Sequence, residues 1–244
     1  MAETELAGSV GLLTGASGGI GTALGRRLIA AGVRTAFAYG THAEHAERLV
    51  AEAAKAGVEA VALPGDMADP TVPRSLVERT TEALGPVDVL IPNAGYAPPR
   101  HYTEVDLDTW DRSIAINLRA PFLLAQRVLP GMVERGFGRV LFVSSVAAFT
   151  GGVIGPHYAA AKAGLHGLLH HLASRVAADG VTVNAIAPAF IEDTRMLPST
   201  ADPSKLPVAR FGRPDEVADL AMAVLRNGFI TNQVLAVDGG AYPR

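Results

Sequence analysis

Cysteine is missing from all 244 residues of the sequence. That excludes disulfides, a thiolate nucleophile and zinc held by sulfur. No apolar run approaches the ~20 residues that a membrane-spanning helix needs. No cluster of lysine and arginine marks a surface for nucleic acid or anionic lipid, and the net charge is −3, so neither nucleic acid nor a membrane is expected as a partner. Lysine is scarce, occurring only at positions 55, 162 and 205. The opening residues, MAETELAGSV, carry acids where a secretory signal has basic residues, which predicts a soluble, cytoplasmic protein acting on small molecules. Repeats, low-complexity tracts and linkers are absent as well.

What the chain does hold is core material: 49% of its residues are hydrophobic, ample for one sizeable domain. Short apolar, β-branched runs recur at 10–13, 34–39, 58–63, 87–91, 139–144, 181–187 and 233–238. Helical patterns fill the intervals at 19–31, 42–56, 73–84, 107–134, 156–179 and 214–226. Near-continuous apolar strands separated by helices imply a parallel sheet covered on both faces. Right-handed crossovers then give a Rossmann-type, doubly wound α/β fold of about seven strands, predicted as a single domain over 1–244. The irregular stretch 189–213, which contains prolines, suits a loop over a site.

Two short patterns carry the chemistry. TGASGGIG, Thr14 to Gly21, directly follows the first strand and opens the first helix, the context that a dinucleotide-binding loop requires. Gly15 permits the tight turn, and Gly19 and Gly21 are expected to let backbone approach a pyrophosphate at the helix N-terminus. HYAAAKAG, residues 157 to 164, places Tyr158 and Lys162 four apart and therefore on one helix face, where both reach one bound molecule. The three alanines between them are expected to let the helix lie close to sheet and cofactor.

The glycine spacing resembles that of the short-chain dehydrogenase/reductase family, and other segments are similar at the matching places. Asp66-Met67 follows the third strand, and Asn93-Ala94-Gly95 follows the fourth, with Pro92 where the family has a further Asn. Asn117 stands in INLRAPF, and Ser145, in VSSVA, stands 13 residues before Tyr158. GRPDEVA (212–218) and VDGG (237–240) are similar to recurrent family segments. The resemblance implies a catalytic set of Asn117, Ser145, Tyr158 and Lys162. It also implies a cofactor-binding set of Gly15, Ser17, Gly18, Gly19, Ile20, Gly21, Tyr39, Gly40, Thr41, His42, Asp66, Met67, Asn93, Ala94, Gly95, Pro188 and Ile191, together with Tyr158 and Lys162. Asp66 would contact adenine and Lys162 the nicotinamide ribose. A homotetramer, or a homodimer, built on the fourth and fifth helices is implied too. Taken singly, Ser145 reads as a strand-end hydroxyl, Asn117 as a helix-surface amide and Tyr158 as an interfacial aromatic; their joint spacing supports the catalytic reading.

The expected enzyme interconverts a ketone and a secondary alcohol. Reduction needs a proton at the developing alkoxide, and Tyr158 supplies it as general acid. A free phenol titrates near ~10, and the Lys162 ammonium one turn away is expected to bring Tyr158 down. Ser145 would hold the substrate oxygen, and Asn117 would anchor a water of the proton relay. Family members specific for NAD carry an acid near the end of the second strand; here that region reads AYGTHAE, whose first acid, Glu44, is already in the helix. NADP(H) is favoured. NAD(H) stays open, because Gly18 stands where many NADP-dependent relatives have an arginine, leaving Thr41 and His42 as candidates for a 2′-phosphate.

His166 and His170 have a metal-compatible spacing without a third ligand nearby, so no metal is expected. With His171 they read as surface or subunit-interface side chains, and His157 as lining the substrate mouth or facing solvent. The pattern as a whole is most similar to bacterial 3-oxoacyl-(acyl-carrier-protein) reductases, so a β-keto thioester or ester is the expected substrate. However, VERGFGR (133–139) and AADGVTV (177–183) offer little attraction for an acidic carrier. Ala189 replaces the family's Gly after Pro188, Asp193 or Thr194 takes the place of its next Thr, and 226–233 and 189–213 look short. These departures keep open a free small or cyclic ketone, of sugar, steroid or secondary-metabolite type, in a more open pocket. A non-catalytic dinucleotide-binding protein is disfavoured, since Ser145, Tyr158 and Lys162 are all intact.

Overall fold

The computed structural model describes residues 5–194, 196–197 and 201–242. The first residues of the acidic opening and part of the 189–213 loop therefore lie outside the description. Seven strands form one sheet: β1 Val10–Thr14, β2 Arg34–Tyr39, β3 Ala60–Pro64, β4 Val89–Ile91, β5 Gly138–Val143, β6 Val181–Pro188 and β7 Val234–Val237. All pairings are parallel, in the order β3-β2-β1-β4-β5-β6-β7. The observed β3 and β4 begin two residues later than the apolar runs do.

Alternation along each strand feeds two separate cores. Leu12, Leu90, Val140, Phe142 and Val183 face one side; Leu13, Phe37, Ile91, Leu141 and Ile186 face the other. The first core is closed by α3 (Val72–Leu84), α5 (Ala120–Glu134) and α7 (Pro156–Val176), and the second by α1 (Gly19–Ala30), α2 (Ala43–Lys55) and α8 (Pro214–Arg226). Buried leucines such as Leu12, Leu24, Leu76 and Leu124 are 0% exposed, each contributing about 1.5–3 kcal/mol of transfer free energy. The short α6 is Ala147–Thr150, directly after β5.

The helix expected over 107–134 is interrupted. It runs as α4 (Leu107–Ile114), a π-helical turn over Ala115–Arg119, then α5. Two features of the sequence account for the break. Pro121 has no N–H to give the Asn117 carbonyl four residues back, and the Asn117 side chain itself donates to the Ser113 carbonyl at 3.1 Å, competing with the backbone ladder. Within the turn, the Ala120 N–H reaches back five residues to the Ala115 carbonyl.

The topological switch lies between β1 and β4, whose neighbours run in opposite directions across the sheet, and there the C-terminal strand ends open a crevice. Thr14, 2% exposed, closes its floor: its Oγ1 accepts from the Asn93 and Ala94 N–H groups, both at 3.1 Å. Thr14→Val leaves two N–H groups without that acceptor, and a stability loss of about 1–3 kcal/mol in chemical denaturation is expected. Wild-type stability in the variant would show that these bonds do not join β1 to the segment after β4.

Candidate active site

A cleft with a cavity volume of about 360 Å³ runs along the switch point. Every residue expected at the site lines it except His42 and Asn117. At one end, Gly15 (φ +65°) turns beneath Ala94, where a Cβ would sit 2.8 Å from Ala94 backbone atoms. The Asn93 side-chain amide donates to the Thr14 and Gly15 carbonyls at 3.2 and 3.0 Å, so the turn is braced from the neighbouring strand. Helix α1 starts at Gly19 with no side-chain cap on its N-terminus, so its first N–H groups point unaided into the cleft and favour an anion.

The glycines divide their roles differently from the sequence reading. At Gly21 a Cβ would collide with the Gly15 carbonyl, and at Gly19 with the Asp193 carbonyl; the room there is taken by the protein itself. At Gly18 the space is open, the Gly15 carbonyl being 3.6 Å away. The close approach to a phosphate is therefore available at Gly18. This cradle, with the uncapped helix, fits a pyrophosphate-containing dinucleotide.

Beyond β2, Tyr39, Gly40 and Thr41 line the cleft, while His42 turns away, its Nδ1 3.2 Å from Glu44 Oε1. His45 Nε2 is 3.7 Å from the same oxygen. Glu44 is thus engaged by two imidazoles, and no carboxylate stands at the strand end. Asp66, at the cleft wall, accepts from the Ala68 N–H at 3.0 Å and pairs with Arg112 at 3.2 Å.

At the other end Tyr158 and Lys162 are 6% and 4% exposed. Lys162 Nζ donates to the carbonyl of Val143, the last residue of β5, at 2.7 Å, and lies 5.7 Å from the centroid of the Tyr158 ring. Burial pushes the phenol up to about 12, with a hydrogen bond to Ser145 pulling the other way. Burial also pushes Lys162 down to about 8. The expected net lowering of Tyr158 is not what the structure gives: burial raises the phenol, and one Nζ hydrogen of Lys162 is directed at the Val143 carbonyl. Ser145, partly exposed, faces the cleft. Ser144 is 3% exposed, and its hydroxyl lies 2.9 Å from His166 Nε2 and 3.4 Å from the Lys162 carbonyl.

Asn117 is fully buried at 0% rather than at a helix surface. Its amide clasps Tyr96 both ways, accepting from the Tyr96 N–H at 3.2 Å and donating to its carbonyl at 2.7 Å. It shapes the cleft wall through that loop. His166 is half-buried: besides meeting Ser144 it lies tilted against Phe149, with ring centroids 4.6 Å apart. His170, exposed, is 2.6 Å from Asn232 Oδ1. Among the described residues no three His, Asp or Glu side chains gather as metal ligands. Of the three alanines, Ala161 is buried, Ala159 half-buried and Ala160 exposed.

The segment after β6 covers the reacting end. Ile191 pairs with Gly212, the Thr194 hydroxyl donates to the Ile191 carbonyl at 2.8 Å, and Met196 Sδ lies 3.9 Å from Tyr158 Oη. Of the two candidates for the family's Thr, Thr194 lines the cleft and Asp193 takes the left-handed conformation (φ +55°) that brings its carbonyl to Gly19. GRPDEVA acquires a physical meaning: Glu216 accepts from Arg210 at 2.6 and 2.8 Å and from the Arg213 N–H at 2.8 Å, holding the base of the loop on α8. These bonds, the Arg210 one first, hold its carboxyl at about 2. Phe190, Met196 and Tyr242 also line the cleft; the first two lie in the stretch read as a loop over a site, and nothing in its local sequence marked Tyr242.

The family described as short chain dehydrogenase matches residues 9–205. The chain is 35% identical over 242 residues to a 3-oxoacyl-(acyl-carrier-protein) reductase of Synechocystis, the match covering 97% of this chain and 98% of that one. It is 34% identical over 242 residues to an acetoacetyl-CoA reductase of Allochromatium vinosum, covering 96% of this chain and 98% of the other. A blue fluorescent protein from a metagenomic library, solved in complex with NADPH, superposes with a TM-score of 0.92 at 36% identity, covering 98% of this chain and all (100%) of that one.

Tyr158→Phe removes the one hydroxyl held between Ser145 and the buried ammonium. Dinucleotide binding is expected to persist in calorimetry while turnover falls by on the order of 10² or more; retained turnover would show that Tyr158 moves no proton.

Proposed function

The chain belongs to the short-chain dehydrogenase family, and from that premise we propose that it is an NADPH-dependent ketoreductase acting on a 3-oxoacyl-type thioester or ester. The observation that carries this reading is the convergence of Tyr158, Ser145 and Lys162 at one end of a cleft whose other end is an uncapped, glycine-lined helix start. The residues that would hold the cofactor are the Gly15–Gly21 turn for the pyrophosphate, Asp66 and Met67 for the adenine, Asn93–Gly95 for the wall behind it, and Pro188 and Ile191 for the nicotinamide. When bound, the nicotinamide supplies the hydride that reduces the carbonyl carbon.

The protein's own groups do the rest. The Ser145 hydroxyl donates to the substrate carbonyl oxygen, fixing it beside Tyr158. Tyr158, kept as a neutral phenol by burial, gives its proton to that oxygen as negative charge develops. Lys162 retains its proton at neutral pH and offsets the charge left on the phenolate. Burial of both side chains makes this attraction stronger than in water.

NADP(H) is the cofactor that the end of β2 admits. No carboxylate stands there to repel a 2′-phosphate, because Glu44 is drawn into the helix and bound by His42 and His45. His42 itself is turned from the cleft, which leaves Thr41 as the lining side chain.

One observation favours a second reading, a free ketone. The face expected to meet an acidic carrier is short of available cations: Arg135 pairs with Asp88 at 3.0 Å, Arg139 is buried among the Leu225, Gly138 and Gly180 carbonyls, and Glu134 and Asp179 are exposed. For assembly we carry forward the homotetramer; the exposed Leu107, Trp110 and Phe122 on α4 and α5, the two parts of the fourth expected helix, are apolar groups that a subunit interface would cover. The cytoplasmic location stays an expectation of the sequence.

The deciding experiment follows NADPH oxidation with 3-oxoacyl thioesters, a free ketoester, cyclic ketones and sugars, with NADH as control. Turnover of 3-oxo esters with preference for NADPH is expected from a preparation that sediments as a tetramer. Turnover of none of these carbonyls would overturn the enzyme assignment. A preference for NADH would overturn the cofactor choice, and a monomer would overturn the assembly.

A further inference from the structure

His157 stands immediately before the proton donor, yet it does not line the cleft and is 0% exposed. Neither position left open by the sequence is the one it takes. Its Nε2 lies 3.1 Å from the carbonyl oxygen of Pro98, in the segment that leaves β4. A carbonyl only accepts, so Nε2 carries the hydrogen and the neutral ring presents Nδ1 as a bare acceptor. Nδ1 is buried with no hydrogen-bond partner among the described residues.

Two further contacts fasten the same segment to the start of α7. The Arg100 N–H donates to the Ile154 carbonyl at 2.8 Å. Gly155 lies between the two bonds with φ +145°, and a Cβ there would fall 2.7 Å from the Arg100 carbonyl and 2.9 Å from His157 Nδ1. Ala97, between the clasp of Asn117 on Tyr96 and the His157 bond at Pro98, packs on Ile154 and Tyr158. Downstream, Pro99 lines a second cavity of about 490 Å³, whose walls include Val153, Phe190 and Tyr242 of the main cleft. Residues 96–100 thus run beside the reacting end of the cleft, with Pro99 lining the adjoining cavity, held by an amide at one end and an imidazole at the other.

We propose that neutral His157 is a positioning residue, which latches the 96–100 segment beside the substrate end of the cleft to the catalytic helix and releases it when the ring takes up a second proton. The inference rests on the ketone-reduction reading for its kinetic part only. Protonation would place an N–H at Nδ1, where no acceptor waits, in a buried site. Burial, chiefly, lowers the imidazole below its ordinary value; Arg100, the charged group acting on it from that segment, works in the same direction, and the Pro98 carbonyl opposes both. The folded pKa is therefore below the unfolded one. The stability held by the neutral ring is present above the unfolded value of ~6.5 and is lost as pH falls through the window beneath it.

Two variants and a pH series test this. Gln at 157 keeps an amide donor near the Nε2 position and cannot be protonated in this range; Leu fills the volume without a donor. In the wild type, Tm and kcat/KM for the ketone are expected to fall together below about pH 6. His157→Gln is expected to keep kcat/KM within about threefold at pH 7.5 and to lose the acid limb in both readouts. His157→Leu is expected to raise the ketone KM by about tenfold, the scale of one buried hydrogen bond, with NADPH Kd unchanged. An acid limb that survives in His157→Gln, or an unaltered ketone KM in His157→Leu, would overturn the latch. The Tm series reads the latch without turnover, so a protein inactive on every ketone would defeat the functional reading and still decide this one.

Discussion

A lysine ammonium buried at the end of a sheet, donating to a main-chain carbonyl, is the contact on which this site depends. An unpaired buried charge is strongly unfavourable, and Lys162 is tolerated because its Nζ finds Val143 at the end of β5, at the cost of a lowered pKa. That bond sets the height of α7 against the sheet. Since Tyr158 shares the helix face with Lys162, the same contact decides where the phenol sits. Burial then keeps the phenol neutral, the protonation state that carbonyl reduction consumes. The ammonium acts after the proton has left, when a phenolate must be held in a site with little water.

The surroundings serve to keep that helix in place. Ser144 and His166 join β5 to α7 behind the reacting face. His157 and the Ile154 carbonyl join α7 to the segment after β4, and Asn117 clasps the other end of that segment from the π-helical turn. Thr14 and Asn93 connect the same segment to the phosphate turn. The segment 93–100 therefore touches both ends of the cleft, which gives the dinucleotide cradle and the proton donor a common frame. On the far side, Asp193 fits against Gly19 and Glu216 grips Arg210, so the loop over the site is moored to α1 and α8.

Much of this was legible in the residues alone. The β2 run at 34–39 and the α8 pattern at 214–226 coincide with the observed elements, since β-branched runs and 3.6-residue periodicity are local signals. The Gly-rich turn, Ser145, Tyr158 and Lys162 come together as their spacing implied. What escaped was decided by tertiary packing. The upward shift of Tyr158 comes from desolvation, which spacing on a helix does not report. His157 looked like a surface or pocket residue because its partner, Pro98, is 59 positions away. His42 was a reasonable phosphate ligand until Glu44, two residues on, drew it off. The π-helical turn had a local cause in Pro121, but the clasp that Asn117 makes with Tyr96 depends on where β4 ends.

The site depends most directly on the ionisation state of Tyr158 in the free protein. Tyrosine labelled with ¹³C at Cζ, with the Tyr158 resonance assigned by its loss in the Phe variant, reports that state through an NMR titration from pH 6 to about pH 10, the ordinary phenol value. The expected result is a resonance that stays at the phenol position throughout. A midpoint at or below the ordinary value would show that Lys162, and not burial, governs the phenol, and would contradict the account.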